Sequence, residues 1–66
     1  MSWPELMTEA TAAAFMDCSP QTIERMRREK KIAPRQLRGL ARYHIDDLRE
    51  FARELPEVEP RQRKSA

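Results

Sequence analysis

Glycine and cysteine each occur only once in this sequence, and it contains no long hydrophobic run. The single cysteine, Cys18, excludes an internal disulfide, and its neighbours do not complete a metal-ligand spacing, so we interpret it as a small apolar core residue. No segment approaches the roughly 18 apolar residues of a membrane span, and no basic and then apolar leader resembles a signal peptide. We therefore expect a cytoplasmic protein.

The hydrophobic content is also low, at 39% against 36% charged residues in a chain of 66. A domain of this length buries only about 60% of the surface that its unfolded chain exposes, which leaves no space for a deep substrate cavity. The sequence contains no nucleophile and base pair, glycine-rich phosphate loop or acid dyad. The only histidine, His44, is expected at a helix N-cap. We therefore predict no enzymatic activity, small-molecule substrate, cofactor or metal.

The positive charge is concentrated in one part of the chain. Residues 25–42, called the basic block below, contain eight basic residues and one acidic residue, Glu29. Residues 1–24 contain four acidic residues and no basic one, and residues 43–60 contain six acidic and two basic residues. Such segregation favours a polyanion as partner and suits a membrane surface poorly. The alternative from charge alone is an ordinary solvated helix face.

Capping residues mark the beginning of two consecutive helices. Thr8 supplies a capping oxygen before a first helix, whose buried stripe we expect to contain Ala12, Ala13, Phe15 and Met16. Ser19 and Pro20 are a second start signal, so a second helix should span about residues 20–29. Only a turn of three or four residues fits between them, and this length is typical of a helix-turn-helix.

The remaining elements are a hairpin and a last helix. Arg38-Gly39 is the only turn with glycine, and it predicts a two-stranded hairpin, or wing, over residues 32–44. A helix at about residues 45–54 should close the core. The predicted fold is mainly α with a small β-hairpin: a winged helix-turn-helix of three helices and a two-stranded wing. The expected parts are an arm at 1–7, the DNA-binding domain at 8–54 and a flexible basic tail at 55–66.

Three blocks of this sequence resemble the excisionase-like and MerR-like winged helix-turn-helix domains. Residues 8–23 resemble their opening, with a capping threonine, an alanine pair, two bulky apolar residues, a turn and a capping serine. Residues 28–32 resemble the end of their recognition helix, and residues 42–48 resemble the exit from the wing. The resemblance covers about residues 6–52. The chain departs from the family at Asp17 and Lys30, where glycine is frequent, and at Arg27, which is often apolar there.

The resemblance implies a role in site-specific recombination. We expect no room after residue 54 for the dimerisation helix and effector domain that follow this domain in MerR-like activators. Stand-alone domains of this length resemble excisionases instead. Excisionases bind repeated DNA sites side by side, bend the DNA and direct an integrase, a tyrosine or serine recombinase, toward excision of a phage or mobile element. Two alternatives stay open: a small transcriptional repressor of a mobile element, and an adaptor or antitoxin-like module that binds an acidic protein.

The predicted DNA contacts follow from the face of the second helix that Ile23 and Met26 leave free. Arginine reads guanine, glutamine can read adenine and glutamate can accept from cytosine, so this helix should enter the major groove. The major-groove set is Pro20, Gln21, Glu24, Arg25 and Arg28. The phosphate set is Ser19, Thr22, Arg27, Lys30, Lys31 and Arg35. The wing set, expected in the minor groove, is Arg38, Gly39 and Arg42.

Two of these residues have competing interpretations. Glu24 either accepts from a cytosine or forms an ion pair with Arg28 one turn later, and the ion pair is the favoured interpretation. Arg42 either enters the minor groove or serves the wing by stacking on Tyr43 or pairing with Asp46.

Overall fold

A computed structural model describes residues 2–58 and contains three helices and three short strands. The predicted three-helix fold with a wing is confirmed. The second helix ends one residue earlier than expected. The segment 59–66, which includes most of the predicted basic tail, lies outside the described residues. The elements are β1 (Leu6–Met7), α1 (Glu9–Met16), α2 (Pro20–Arg28), β2 (Arg35–Leu37), β3 (Leu40–His44) and α3 (Ile45–Glu54).

The sheet has three antiparallel strands in the order β1-β3-β2, where the sequence predicted a two-stranded wing. Strand β1 pairs with the end of β3, with Met7 opposite Tyr43. The backbone N–H of Ile45 also donates to the carbonyl of Glu5 at 2.8 Å. The end of the predicted arm is therefore part of the sheet. A two-residue strand has no periodicity of its own, and its pairing depends on a partner far along the chain.

Each helix begins with a side chain that accepts a backbone hydrogen bond, and the three expected caps are confirmed. Capping satisfies an N–H group that has no partner within the helix. Pro20 follows Ser19 at the first helical position, where its missing N–H is not needed. The bonds are Thr11 N–H to Thr8 Oγ1 at 3.1 Å, Thr22 N–H to Ser19 Oγ at 3.3 Å and Asp46 N–H to His44 Nδ1 at 3.1 Å.

A left-handed residue that is not glycine follows both α1 and α2: Asp17 comes directly after α1, and Lys30 comes two residues after the end of α2. Asp17 has φ 56° and Lys30 has φ 60°. Both ends carry a hydrogen bond that spans five residues, as in a Schellman motif. These bonds are Cys18 N–H to the carbonyl of Ala13 at 2.8 Å and Lys31 N–H to the carbonyl of Met26 at 2.9 Å.

The core is one small cluster to which every helix contributes. Cys18 packs against it partly buried, and burial, together with the charge of Asp17, raises the pKa of its thiol. This placement fits an apolar packing residue. On α3, Leu48 is buried and Ile45 and Phe51 are partly buried, whereas Ala52 is exposed. The buried residues are Met7, Ala12, Ala13, Ile23, Ile32, Tyr43 and Leu48.

A two-pronged ion pair connects the wing to α3. Arg35 on β2 donates from Nε to Asp47 Oδ2 at 3.0 Å and from Nη2 to Asp47 Oδ1 at 3.2 Å. The hydrogen bonds from Arg35 hold the pKa of the Asp47 carboxyl below its ordinary value, with the positive charge adding to the effect. The pair therefore orients an exposed strand whose side chains contribute nothing to the buried core.

We predict that Asp47→Asn destabilises the fold at neutral pH but not in strong acid. A carboxyl whose folded pKa is lowered stabilises above its unfolded pKa, near 3.8, and loses that stabilisation as the pH falls through the lowered folded value. Thermal unfolding at pH 7 should therefore show a lower Tm for Asp47→Asn than for wild type, and the gap should close in strong acid. Asp46→Asn is the control, because it removes the same charge from the same helical turn. Equal losses for both variants, or a gap that does not change with pH, would contradict the role of the pair.

We predict that Lys30→Gly is more stable than Lys30→Ala. Both variants remove the same charge, but only glycine adopts φ 60° without strain. A left-handed conformation costs a residue with a Cβ about 1–2 kcal/mol. Part of this gain is lost to the greater entropy of glycine in the unfolded chain, so the difference in free energy of unfolding should be about 1 kcal/mol. Urea denaturation measures it, and an alanine variant as stable as the glycine variant would show that the turn is unstrained.

Candidate nucleic-acid interface

The outer face of α2 is defined by the residues that the helix buries. Ile23 is completely buried and Met26 packs against the core. At 100° per residue, Gln21, Arg25 and Arg28 lie on the opposite side, and all three are exposed. The structure thus brings these predicted major-groove residues together on one surface, with Glu24 at its edge.

The beginning of α2 presents polar groups beside this face. The hydroxyls of Ser19 and Thr22 lie 3.0 Å apart, and Pro20 is exposed between them in sequence. The N-terminus of a helix carries a partial positive charge and favours an anion. The two hydroxyls predicted at phosphates therefore lie where a backbone phosphate would be favoured.

Glu24 lies next to Arg28, which is the arrangement that the sequence favoured. Arg28 Nε is 4.0 Å from Glu24 Oε1, and both side chains are substantially exposed. A second surface pair joins Lys31 Nζ to Glu29 Oε1 at 3.6 Å. Exposed pairs of this kind contribute only about 0.2–1 kcal/mol. Breaking these two ion pairs would therefore cost little free energy if Arg28 and Lys31 bound DNA instead.

The other basic side chains of the block, apart from Arg35, form no ion pair within residues 2–58. Arg27 lies near Tyr43, whose pKa is raised by burial and lowered in part by the positive charge of Arg27. Arg27 is exposed on α2, as its predicted place in the phosphate set requires. The unpaired residues are Arg25, Arg27, Lys30, Arg38 and Arg42.

The wing turns at Arg38 and Gly39, as the sequence predicted. Both residues have positive φ, 51° and 81°, which is the pattern of a type I′ turn. A Cβ on Gly39 would meet nothing within 4 Å, so conformation rather than space favours glycine there. Arg42 adopts neither of its proposed ion-pair or stacking arrangements in the described residues; its Nη1 donates to the carbonyl of Ala41 at 2.8 Å.

Two leucines at the tip of the wing were not assigned to the site from sequence. Leu37 and Leu40 pair across the hairpin and are 44% and 55% exposed. The signal was present in the order Leu-Arg-Gly-Leu, because residues that flank a two-residue turn must face each other at the far end of the hairpin. They extend the candidate interface beyond its charged residues.

The surface on the other side of β2 has a different character. A groove of about 430 Å³ lies between residues 31–35 and α3. Asp47, Glu50 and Glu54 line it from α3, so it does not continue the basic surface. None of the described helices is long and apolar enough to cross a membrane.

Comparison with known proteins identifies the family. Residues 6–56 match the family described as Helix-turn-helix domain, a DNA-binding family that includes excisionase-like proteins and is typically non-enzymatic. No curated protein and no solved structure matches the chain. The matched range contains α1, the short turn, α2, the wing and α3, the elements on which the basic surface is built. The chain therefore belongs to the Helix-turn-helix domain family of DNA-binding proteins.

Proposed function

We propose that this chain is an excisionase that binds repeated DNA sites cooperatively, bends the DNA and directs an integrase toward excision of a phage or mobile element. The observation that carries the proposal is the exposed basic block, which occupies the free face of α2 and the adjoining wing. The excisionase-like character of residues 8–23 and the family match support it further. The integrase partner would be a tyrosine or serine recombinase.

In this proposal α2 lies in the major groove. Arg25 and Arg28 are the base readers, because a guanidinium can donate two hydrogen bonds to guanine. Gln21 is placed to read adenine, and Pro20 brings the first turn close to the bases. Glu24 holds Arg28 in the free protein and is released or accepts from cytosine when DNA binds.

The remaining basic residues are assigned to the phosphate backbone of the DNA. Lys30 and Lys31 follow α2, and Arg27 lies on α2 beside the base-reading face, so we assign them to phosphates on either side of the groove, with Ser19 and Thr22 at the beginning of the helix. Arg35 is the weakest member of this set because Nε and Nη2 already donate to Asp47. Arg38, Gly39 and Arg42 are assigned to the minor groove, where a narrow groove favours arginine.

Several copies are needed for specificity. A single module of this size covers on the order of 600–1,000 Å² on DNA, less than most tight specific complexes use. Trp3 stacks edge to face on Phe15 with ring centroids 5.3 Å apart and remains 39% exposed. Leu55 is 51% exposed after the end of α3. These apolar groups in the arm and the start of the tail are candidate contacts between adjacent copies.

We predict that mutations of base-contacting residues and of phosphate-contacting residues have different effects on DNA affinity. Arg25→Ala or Arg28→Ala should weaken binding to a site selected from random DNA by about 1–3 kcal/mol and relax preference at one base pair. Lys31→Ala should weaken all sequences alike. For about five to seven phosphate contacts, the log affinity of the wild type should fall with log salt at a slope near −5, and Lys31→Ala should reduce that slope by about one.

Titrations by fluorescence anisotropy on selected and random duplexes measure both effects. Arg53→Ala is the matched control, because it removes an exposed arginine from α3, away from the basic block. If all variants lowered specific and random binding by the same factor, α2 would not read bases.

We predict that binding to tandem sites is cooperative and that curvature grows with the number of copies. Gel shifts and bending assays on DNA with one, two and three sites measure this, and removal of residues 1–5 or 56–66, or the substitution Leu55→Ser, should reduce cooperativity. Addition of the protein to its integrase should raise excision of the element, and Arg28→Ala should abolish that stimulation. A simple repressor would be favoured if the affinity per site did not depend on the number of sites, if the bend did not exceed that of one copy, and if excision were unaffected.

A further inference from the structure

The tip of the wing exposes an apolar pair where a solvated turn would have polar side chains. Leu37 and Leu40 face each other directly across the last rung of the hairpin, and neither is covered. Between them stand Arg38 and Gly39. Isolated exposed leucines are ordinary on protein surfaces, but two that lie opposite each other beside the turn of a hairpin form a small apolar patch.

The hairpin has two chemically different faces. Successive residues of a strand point to opposite sides, so the cross-strand pairs Leu37 with Leu40 and Arg35 with Arg42 share one face. Gln36 and Ala41 form the pair on the other face. One face of the wing therefore carries leucines toward the tip and arginines toward the base.

This arrangement is unfavourable for the free protein. Like charges directly across a strand pair destabilise it, and only Arg35 of the two opposed arginines forms an ion pair within residues 2–58. Arg38 occupies the left-handed region at φ 51°, where glycine or asparagine is favoured. Strained residues that persist at an exposed tip favour a role for the tip in binding. The clustered cations fit an anionic partner.

We propose that Leu37 and Leu40 form an apolar wedge that enters the minor groove and partly unstacks one base step, while Arg38 and Arg42 lie beside them in the same groove, close to its phosphates. The inference rests on the proposed DNA-binding role and deepens it by assigning the wing as a source of the DNA bend. Leucine side chains inserted between base steps kink duplexes in this way, most easily at pyrimidine–purine steps.

The chemistry favours DNA over a protein as the occupant of this tip. A patch of two leucines is much smaller than the apolar centre of a protein interface, and charged residues are depleted at such centres. Here arginines stand between and beside the leucines. The walls of the minor groove combine apolar deoxyribose with phosphates at the rim, which matches leucines on both sides of the turn with Arg38 at the turn and Arg42 behind them.

The test uses the full chain and a duplex selected from random sequences, with 2-aminopurine placed at each base step in turn. Unstacking should raise its fluorescence at one step on the side of the wing. Leu37→Ser and Leu40→Ser should abolish the rise, reduce the bend and lower affinity about tenfold, as expected when a buried leucine is lost. The salt slope should not change, because no charge is removed. Leu37→Met with Leu40→Met should retain the signal.

Ala41→Ser is the matched control on the opposite face of the same hairpin, and thermal unfolding checks that each variant is folded. Leucine variants that keep the fluorescence, the bend and the affinity would overturn the wedge, while the separate Arg25 and Arg28 measurements would still support the proposed function. Variants that lose only cooperativity between tandem sites would show that the leucines contact a neighbouring copy, which also overturns it. Failure of the unmodified chain to bind any selected site would contradict the proposed function itself.

Discussion

The burial of Ile23 determines which side of α2 is available to DNA. This side chain is completely enclosed in the same cluster as Ala12 and Ala13, whose small size permits α1 and α2 to approach closely. Because the turn between the helices has only three residues, α2 has little freedom to rotate about its axis. The arginines on the opposite side are consequently presented as one surface. In so small a core, loss of this single contact would disorganise both packing and recognition.

The charges of the interface are arranged so that they can change partners. In the free protein, Glu24 and Glu29 lie beside Arg28 and Lys31 in exposed pairs. Such pairs lower the repulsion within the basic block without locking its side chains, because solvent and salt screen them. The pair between Arg35 and Asp47 is different, since two hydrogen bonds fix it and it joins two elements. It is better suited to orienting the wing than to binding phosphate.

Local signals explain what could be predicted from the sequence. The capping residues Thr8 and Ser19 defined the beginning of α1 and α2, and Arg38-Gly39 defined the turn of the wing. Strand β1 was missed because two residues carry no pattern, and its pairing with β3 joins segments almost forty residues apart. The partner of Arg35 was missed for the same reason. These interactions depend on the assembled fold, whereas caps and turns depend on neighbouring residues. The groove contacts of the individual side chains remain predictions.

The three left-handed non-glycine residues do not carry the same strain. Asp17 tolerates this conformation better than most residues, because its short polar side chain can form local hydrogen bonds. Lys30 and Arg38 have no such compensation, yet they stand at the end of α2 and at the tip of the wing. Glycine would relieve the strain at both positions but would remove a cation from each. The conformational cost therefore falls on two residues whose charge extends the basic surface from α2 to the wing, as expected if the protein uses both elements on DNA.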